Sequence, residues 1–140
     1  MVEMIVREMG PLNGKTLGVL GLAFKNNTDD MKEAPSLSIL SELASLGANF
    51  RVYDPKAMQN ADKLFKSRNV SAVKYCINEY DASLEVDALI LMTEWNQFRS
   101  LNLETIRNAM SGNYFFDLRN IYVKESMIQK GFQYYSVGRG

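Results

Sequence analysis

The chain has 140 residues, the size of one domain, and is long enough to bury a hydrophobic core. Sixteen basic and sixteen acidic residues balance, so no overall field favours nucleic acid or an anionic membrane surface as a partner. A single cysteine and no histidine exclude an internal disulfide, most catalytic triads and most zinc sites.

No apolar run approaches the roughly 20 residues that a membrane-spanning helix needs, so we expect no membrane association and a cytoplasmic location. Short runs rich in branched and aromatic residues predict strands at 16–20, 49–53, 88–92, 114–116 and 133–137, with a weaker strand at 71–75. Amphipathic stretches between them predict helices from Pro35 to a glycine cap at Gly47, and over 57–66, 103–110 and 123–130. The alternation predicts an α/β fold with a doubly wound, mostly parallel sheet of five or six strands flanked by helices, Rossmann-like in form.

The loop after the first strand occupies the position of a phosphate-binding turn in such a fold. Gly18 and Gly21 give a G-x-x-G spacing, which matches the dinucleotide fingerprint only in part, and the G-K-[ST] of a Walker loop is missing. The glycines are explained equally well by a tight strand exit and close helix packing. The segment 22–33 also makes this loop longer than a phosphate turn.

That loop has acidic residues at its centre and a basic residue, Lys25, near its start. Thr28, Asp29, Asp30 and Glu33 are better explained by loop rigidification and helix capping than by ligand contact, because carboxylates at a helix entry would repel a pyrophosphate. Lys25, beside an aromatic ring, could face a ligand phosphate or sugar hydroxyl, or be a solvated surface lysine.

Further candidates follow the second and third strong strands. Asp54 lies where a dinucleotide fold places its ribose-binding carboxylate, and a turn-stabilising role before Pro55 explains it equally well. Trp95 and Phe98 could stack on a base, although closure of the core is the commoner role of such residues.

The remaining candidates are an arginine and the cysteine. Arg119 follows a strand and could make a forked contact to phosphate or carboxylate, or an ion pair with a neighbouring acid such as Asp117. Cys76 ends an apolar segment, which favours a buried, inert thiol over a reactive one. The sequence therefore resembles a binding unit more than a complete catalytic apparatus.

Four separated motifs carry a resemblance to a known family. The runs VLGLAFKNNTDDMKEAPS, GANFRVYDP, LILMTEWNQF and FFDLRNIY occur in order over residues 14–138. Together they closely resemble the C-terminal, UDP-sugar-binding domain of the UDP-glucose/GDP-mannose dehydrogenase family.

The resemblance implies an NAD-dependent enzyme that oxidises the C6 alcohol of a nucleotide sugar to a carboxylate, through a thiohemiacetal and a thioester on a cysteine. Members have an N-terminal NAD-binding domain, a central helical dimerisation region and the domain that this chain resembles. Catalytic residues and most NAD contacts then belong to domains outside this chain, and Cys76 does not inherit the catalytic role. Residues 1–13 correspond to the tail of the connecting helix and 14–140 to the binding domain, and a full-length member is expected to be a homo-oligomer.

The resemblance also suggests roles for individual residues. Phe24 and Lys25 match the positions of the AFK motif that contact the nucleotide sugar, and Arg119, or alternatively Asn120, matches a substrate-contacting arginine. Lys32 matches a basic position, usually arginine, that reaches NAD on the other domain. The alternative reading is a stand-alone nucleotide-binding regulatory or interaction module without enzymatic activity.

Overall fold

The structure, a computed structural model, describes residues 1–25, 27–31 and 34–137. Within these ranges the chain forms six helices and six strands in an alternating order. In sequence they are α1 (Val2–Met9), β1 (Thr16–Leu20), α2 (Pro35–Ser45), β2 (Asn49–Tyr53), α3 (Met58–Ser67), β3 (Val73–Tyr75), α4 (Glu79–Ala82), β4 (Ala88–Leu91), α5 (Leu103–Ala109), β5 (Tyr114–Asp117), α6 (Lys124–Gln129) and β6 (Gln133–Ser136). A 3-10 helix, Asn96–Ser100, follows β4.

All six strands belong to one parallel sheet in the order β3-β2-β1-β4-β5-β6. In the central pairings Leu17 lies opposite Phe50 of β2 on one side and Ala88 of β4 on the other. The chain winds outward from β1 in one direction and from β4 in the other, so the direction reverses between these two strands. The predicted doubly wound, Rossmann-like fold is confirmed.

Helices cover both faces of the sheet because the central strands are apolar on both sides. Along β4, Ala88 and Ile90 face one hydrophobic cluster, whereas Leu89 and Leu91 face the other. The first cluster contains residues of α1, α2 and α3, and the second contains residues of α4, α5 and α6. Every residue of β4 is buried.

The predicted elements agree with the structure except for short ones. Pro35 begins α2, and Gly47, with φ of 92°, follows its end as expected for a C-terminal cap. The weaker strand is shorter than predicted, and α4 and the 3-10 helix Asn96–Ser100 were not predicted. In the described part of the chain, no helix has the length and apolar character needed to cross a membrane.

Candidate functional site

The carboxyl ends of all six strands meet at one edge of the sheet, and the loops that leave this edge carry the predicted site residues. In open parallel sheets, ligands bind outside this edge, most often at the point where strand order reverses. That point lies between β1 and β4. We call this edge with its loops the carboxyl rim.

The crevice at the reversal point is filled by the protein's own chain. Gly21, just after β1, packs so closely on Thr93, just after β4, that an added Cβ would lie 2.5 Å from the Thr93 Cβ. Its φ of 92° is also one that residues with a side chain rarely adopt. The Thr93 hydroxyl donates a hydrogen bond to the carbonyl oxygen of Ala23 at 2.8 Å. Gly21 is therefore explained by the tight exit from β1, which was one of its two readings.

Asp54 is turned into the protein. It is 0% exposed, and its Oδ2 accepts hydrogen bonds from the backbone N–H groups of Leu22 at 2.7 Å and Ala23 at 3.1 Å, and from Trp95 Nε1 at 3.2 Å. Its Oδ1 accepts from two further backbone N–H groups, those of Lys56 and Ala57, both at 2.8 Å. Both oxygens are occupied, so the turn-stabilising reading holds and the ribose-binding reading is wrong.

The two aromatic residues after β4 close the core. Trp95 is 5% exposed and Phe98 is fully buried, and both belong to the second hydrophobic cluster. The hydroxyl of Tyr122 donates to the Phe98 carbonyl oxygen from the loop after β5. Burial, reinforced by the nearby Asp117 carboxylate, raises the pKa of Tyr122 well above its usual value. Neither Trp95 nor Phe98 presents a ring for stacking on a base.

The start of the loop after β1 presents an aromatic ring and a cation to solvent. Phe24 is 41% exposed and Lys25 is exposed. The loop is braced from within, because the Phe24 N–H donates to the Asp30 carbonyl oxygen at 2.8 Å and the Asp30 N–H donates to Thr28 Oγ1 at 3.1 Å. The expected bracing by Thr28 is therefore found.

The expected capping of α2 by loop carboxylates finds no support in the described residues. The N-cap is Ala34, whose methyl group cannot accept a hydrogen bond, and the first turn contains no acidic residue. Instead, Ser36 donates its hydroxyl to the Leu22 carbonyl oxygen at 2.7 Å and ties α2 to the loop start. Glu33 and Lys32, the expected NAD contact, lie outside the described residues.

Arg119 lies on the loop after β5 and pairs with Glu94, which follows β4. Arg119 Nη2 is 2.8 Å from Glu94 Oε1, and both side chains remain about one-third exposed, at 33% and 37%. Since β4 lies between β1 and β5, this ion pair places the guanidinium beside the loop after β4, the strand next to β1. The predicted ion pair of Arg119 is therefore found, with Glu94 as the acid rather than the suggested Asp117. Glu94 lies in the TEWNQF motif, and its place in the loop after β4 is the sequence feature that could have suggested this role.

Asp117 instead organises the backbone of the loop that carries Arg119. It is 0% exposed. Its oxygens accept four hydrogen bonds, from Arg119 N, Ile121 N, Tyr122 N and the Tyr134 hydroxyl. The neighbouring Asn120 has φ of 57° and donates its side-chain amide to the Val137 carbonyl oxygen at 2.7 Å. Of the two residues that the resemblance left open, Arg119 thus presents the charged group and Asn120 fixes the loop.

The thiol of Cys76 has the properties of a structural group. Cys76 is 2% exposed, and burial raises the pKa of its thiol. Within the described ranges, no cluster of three metal-ligating side chains is present.

The described side chains offer cations and an exposed ring at the carboxyl rim. Phe24 and Lys25 follow β1 and Arg119 follows β5, two strands apart in the sheet, a separation of about 10 Å at the strand level. Donors of this kind suit an anionic ligand with a phosphate or carboxylate group. The fold defines a Rossmann-like α/β domain in which the loops after β1 and β4 are in direct contact and the candidate ligand-binding side chains lie at the carboxyl rim.

Comparison with known proteins identifies the family. The model for the UDP-glucose/GDP-mannose dehydrogenase family, UDP binding domain, matches residues 18–124. The chain belongs to this family.

Two curated relatives and one solved structure show how much of such proteins the chain spans. It is 39% identical over 137 residues to a UDP-glucose 6-dehydrogenase of Rhizobium meliloti, covering 98% of this chain and 30% of the relative. It is 37% identical over 139 residues to UDP-glucose 6-dehydrogenase YwqF of Bacillus subtilis, covering 99% and 31%. A UDP-glucose dehydrogenase structure from Pyrobaculum islandicum matches with a TM-score of 0.74 and 30% identity, over 96% of this chain and 28% of that one. The chain therefore spans about 30% of the length of these relatives.

Proposed function

We propose that this chain supplies the nucleotide-sugar-binding wall of an NAD-dependent dehydrogenase that oxidises the C6 alcohol of a nucleotide sugar, such as UDP-glucose, to a carboxylate. The observation that carries the proposal is the presence of Phe24, Lys25 and Arg119 at one rim of a chain from this family. The relatives that support the substrate class are named UDP-glucose 6-dehydrogenases.

Each of the three residues suits a different part of a nucleotide sugar. Lys25 offers a mobile ammonium with three donors, and Arg119 offers a planar fork that matches a phosphate edge. In the described residues, the Arg119 guanidinium makes a single hydrogen bond, from Nη2 to Glu94, so its other nitrogens are available to a ligand. Phe24 offers an apolar ring face to the sugar or the base.

The cofactor in this proposal is held mainly by another domain. The crevice between β1 and β4, where a dinucleotide would bind in a Rossmann fold, is filled by Gly21 and Thr93, and Asp54 has no free oxygen for a ribose. Gly21, Thr93 and Asp54 therefore do not form a binding site for NAD in this crevice. In the parent enzyme NAD would accept the hydride, and Lys32 would contact it from this side.

The proposal also assigns the chain a place in a larger protein. Residues 1–13, with α1, form the end of a connecting helix, and residues 14–140 form the binding domain. N-terminal NAD-binding and central domains complete the cleft in a cytoplasmic homo-oligomer. We expect the isolated chain to have no dehydrogenase activity and to bind UDP-glucose weakly, because an open half-site must order its ligand without the opposite wall.

The proposal is tested by titrating the isolated chain with UDP-glucose, using calorimetry and the backbone signals in a ¹H–¹⁵N NMR spectrum. We expect weak binding that shifts the signals of Phe24, Lys25 and Arg119. Loss of a charge-assisted hydrogen bond in Lys25→Ala or Arg119→Ala should weaken binding by about tenfold or more. Lys130→Ala is the matched control, because this exposed lysine follows α6 at the opposite edge of the sheet. Binding in the low micromolar range would favour a stand-alone binding module.

A second test uses a dehydrogenase that contains this chain. We expect Lys25→Ala and Arg119→Ala to raise KM for the nucleotide sugar by about tenfold or more, while KM for NAD changes little. Unchanged KM for the nucleotide sugar in both variants would contradict a substrate-binding role.

A further inference from the structure

One buried carboxylate contacts the loop that carries Phe24 and Lys25 and the loop that carries Glu94, the partner of Arg119. Asp54 Oδ2 accepts from the N–H groups of Leu22 and Ala23, on the loop after β1, and from the indole Nε1 of Trp95, on the loop after β4. The three donors lie 31, 32 and 41 residues away in the sequence. Asp54 therefore joins the two loops, in addition to the hydrogen bond from Thr93 to Ala23.

Two of these contacts are made by residues next to Phe24 and next to the partner of Arg119. Ala23 immediately precedes Phe24 and Lys25, and Trp95 immediately follows Glu94, the partner of Arg119. A displacement at either hydrogen bond would thus be carried by one covalent link to the residues at the rim.

The peptide groups of Ala23 are fixed from two directions. Its N–H donates to Asp54 at 3.1 Å, and its carbonyl oxygen accepts from the Thr93 hydroxyl at 2.8 Å. Ala23 itself is 2% exposed. The orientation of the following residue, Phe24, is therefore set by side chains that follow β2 and β4 rather than by its own loop alone.

We propose that Asp54 is a positioning residue, which sets the loop of Phe24 and Lys25 in register with the Glu94–Arg119 pair through its hydrogen bond to Trp95. This role rests on the proposed function, because it concerns the same site. Asp54 does not touch the ligand. In a dinucleotide fold, a carboxylate at this position binds the ribose. In this chain, Asp54 instead binds the protein's own loops and thereby shapes a different site.

The chain offers a direct spectroscopic probe, because Trp95 is its only tryptophan. Its indole N–H gives one signal in a ¹H–¹⁵N spectrum, and that proton lies in the hydrogen bond to Asp54. We expect UDP, added at millimolar concentration, to shift this signal although Trp95 is 5% exposed.

The decisive variant is Trp95→Phe, which keeps an aromatic ring in the core and removes the indole donor. Without ligand, we expect the backbone signals of Lys25 and Arg119 to move together, and hydrogen exchange at the Leu22 and Ala23 amides to quicken by about tenfold. With UDP, we expect Kd to rise by about threefold or more.

A control separates positioning from a general loss of stability. Ile5→Val removes one buried methyl group from α1, which contributes no residue to the carboxyl rim, and its stability relative to Trp95→Phe is measured by urea unfolding. Ile5→Val should leave the exchange of both amides, corrected for stability, and the UDP affinity unchanged. If Trp95→Phe behaves as Ile5→Val does in both measurements, the positioning role is refuted.

The two proposals fail in different ways. The ligand-free exchange and the signals of Lys25 and Arg119 decide the coupling through Asp54 without any ligand. UDP titration of the unaltered chain decides whether the rim binds a nucleotide. Independent movement of the two loops in Trp95→Phe would overturn the positioning role even if UDP binds.

Discussion

The closed crevice between β1 and β4 makes a quantitative prediction about Gly21. Replacement by alanine has two costs at this position. The φ of 92° places a side chain in a left-handed conformation, which costs about 1–2 kcal/mol. The new Cβ would also lie 2.5 Å from Thr93 Cβ and 2.7 Å from the Thr93 backbone nitrogen. Since a backbone atom cannot rotate away, relief of this contact requires the two loops to separate, at a cost of about 1–3 kcal/mol.

Gly14 provides a matched control for the first cost alone. Its φ of 78° is similarly left-handed, but an added Cβ would meet no atom within 4 Å. Both glycines also donate a backbone hydrogen bond, Gly21 to Tyr53 and Gly14 to Gly47. Because alanine also restricts the unfolded chain, which returns about 0.4–1 kcal/mol in each variant, the net loss for Gly14→Ala should be about 1 kcal/mol or less.

Gly21→Ala should therefore lower the free energy of unfolding by about 2 kcal/mol more than Gly14→Ala does. Urea unfolding of the isolated chain, followed by circular dichroism, measures both changes, and equal denaturant slopes would validate the comparison. Equal losses in the two variants would refute the inference that the loops after β1 and β4 are in tight contact. Thr93→Ala should not rescue Gly21→Ala, because the Thr93 Cβ and backbone nitrogen remain.

Three further predictions concern charge and the thiol. Glu94→Gln keeps an acceptor for Arg119 and removes a negative charge, so UDP should bind more tightly in a titration at low salt, with a stability change under about 1 kcal/mol; weaker binding would contradict this. Cys76 should react with a thiol reagent such as DTNB far more slowly in the folded chain than in denaturant, because burial both shields the thiol and raises its pKa, and fast native reaction would contradict this. A hydrogen bond from the Ile77 N–H lowers the pKa of Asp81 below 3.8, so its carboxylate contributes stability that is present at neutral pH and lost as pH falls through the lowered pKa. The stability difference between the wild-type chain and Asp81→Asn, measured by urea unfolding, should therefore narrow below pH 3.8 and not above it.

Local pattern was sufficient for the long elements and insufficient for the short ones. β1 and β2 have the predicted bounds, because branched and aromatic runs bounded by polar residues identify buried strands. The four residues of α4 are too few to show a helical period. The N-cap of α4 is the Asn78 side chain, which accepts a hydrogen bond from the Asp81 N–H three residues later. The 3-10 helix after β4 shows no period either, for the same reason.

The position of the candidate site was likewise predictable from the sequence, whereas the contacts of its residues were not. Chain order alone placed Lys25 and Arg119 after strands, and hence at the same edge of a parallel sheet. The ion pair of Arg119 was predicted but its acid was not, because Glu94 is 25 residues away and becomes a neighbour only when β4 lies beside β5. The direction in which Asp54 points was equally undecidable, since its donors come from loops 31 to 41 residues distant.

The sequence by itself determined the family, the alternation of strands and helices, and which residues follow which strand, because these properties reside in local hydrophobic pattern and short motifs. Only the tertiary structure decided that the central crevice is closed, that Asp54 accepts hydrogen bonds from the protein's own loops and that Arg119 forms an ion pair with Glu94. The physical reason is that the strand order brings loops that are distant in sequence within hydrogen-bonding distance. A buried carboxylate must be hydrogen-bonded, and its donors come from the loops that the strand order places beside it.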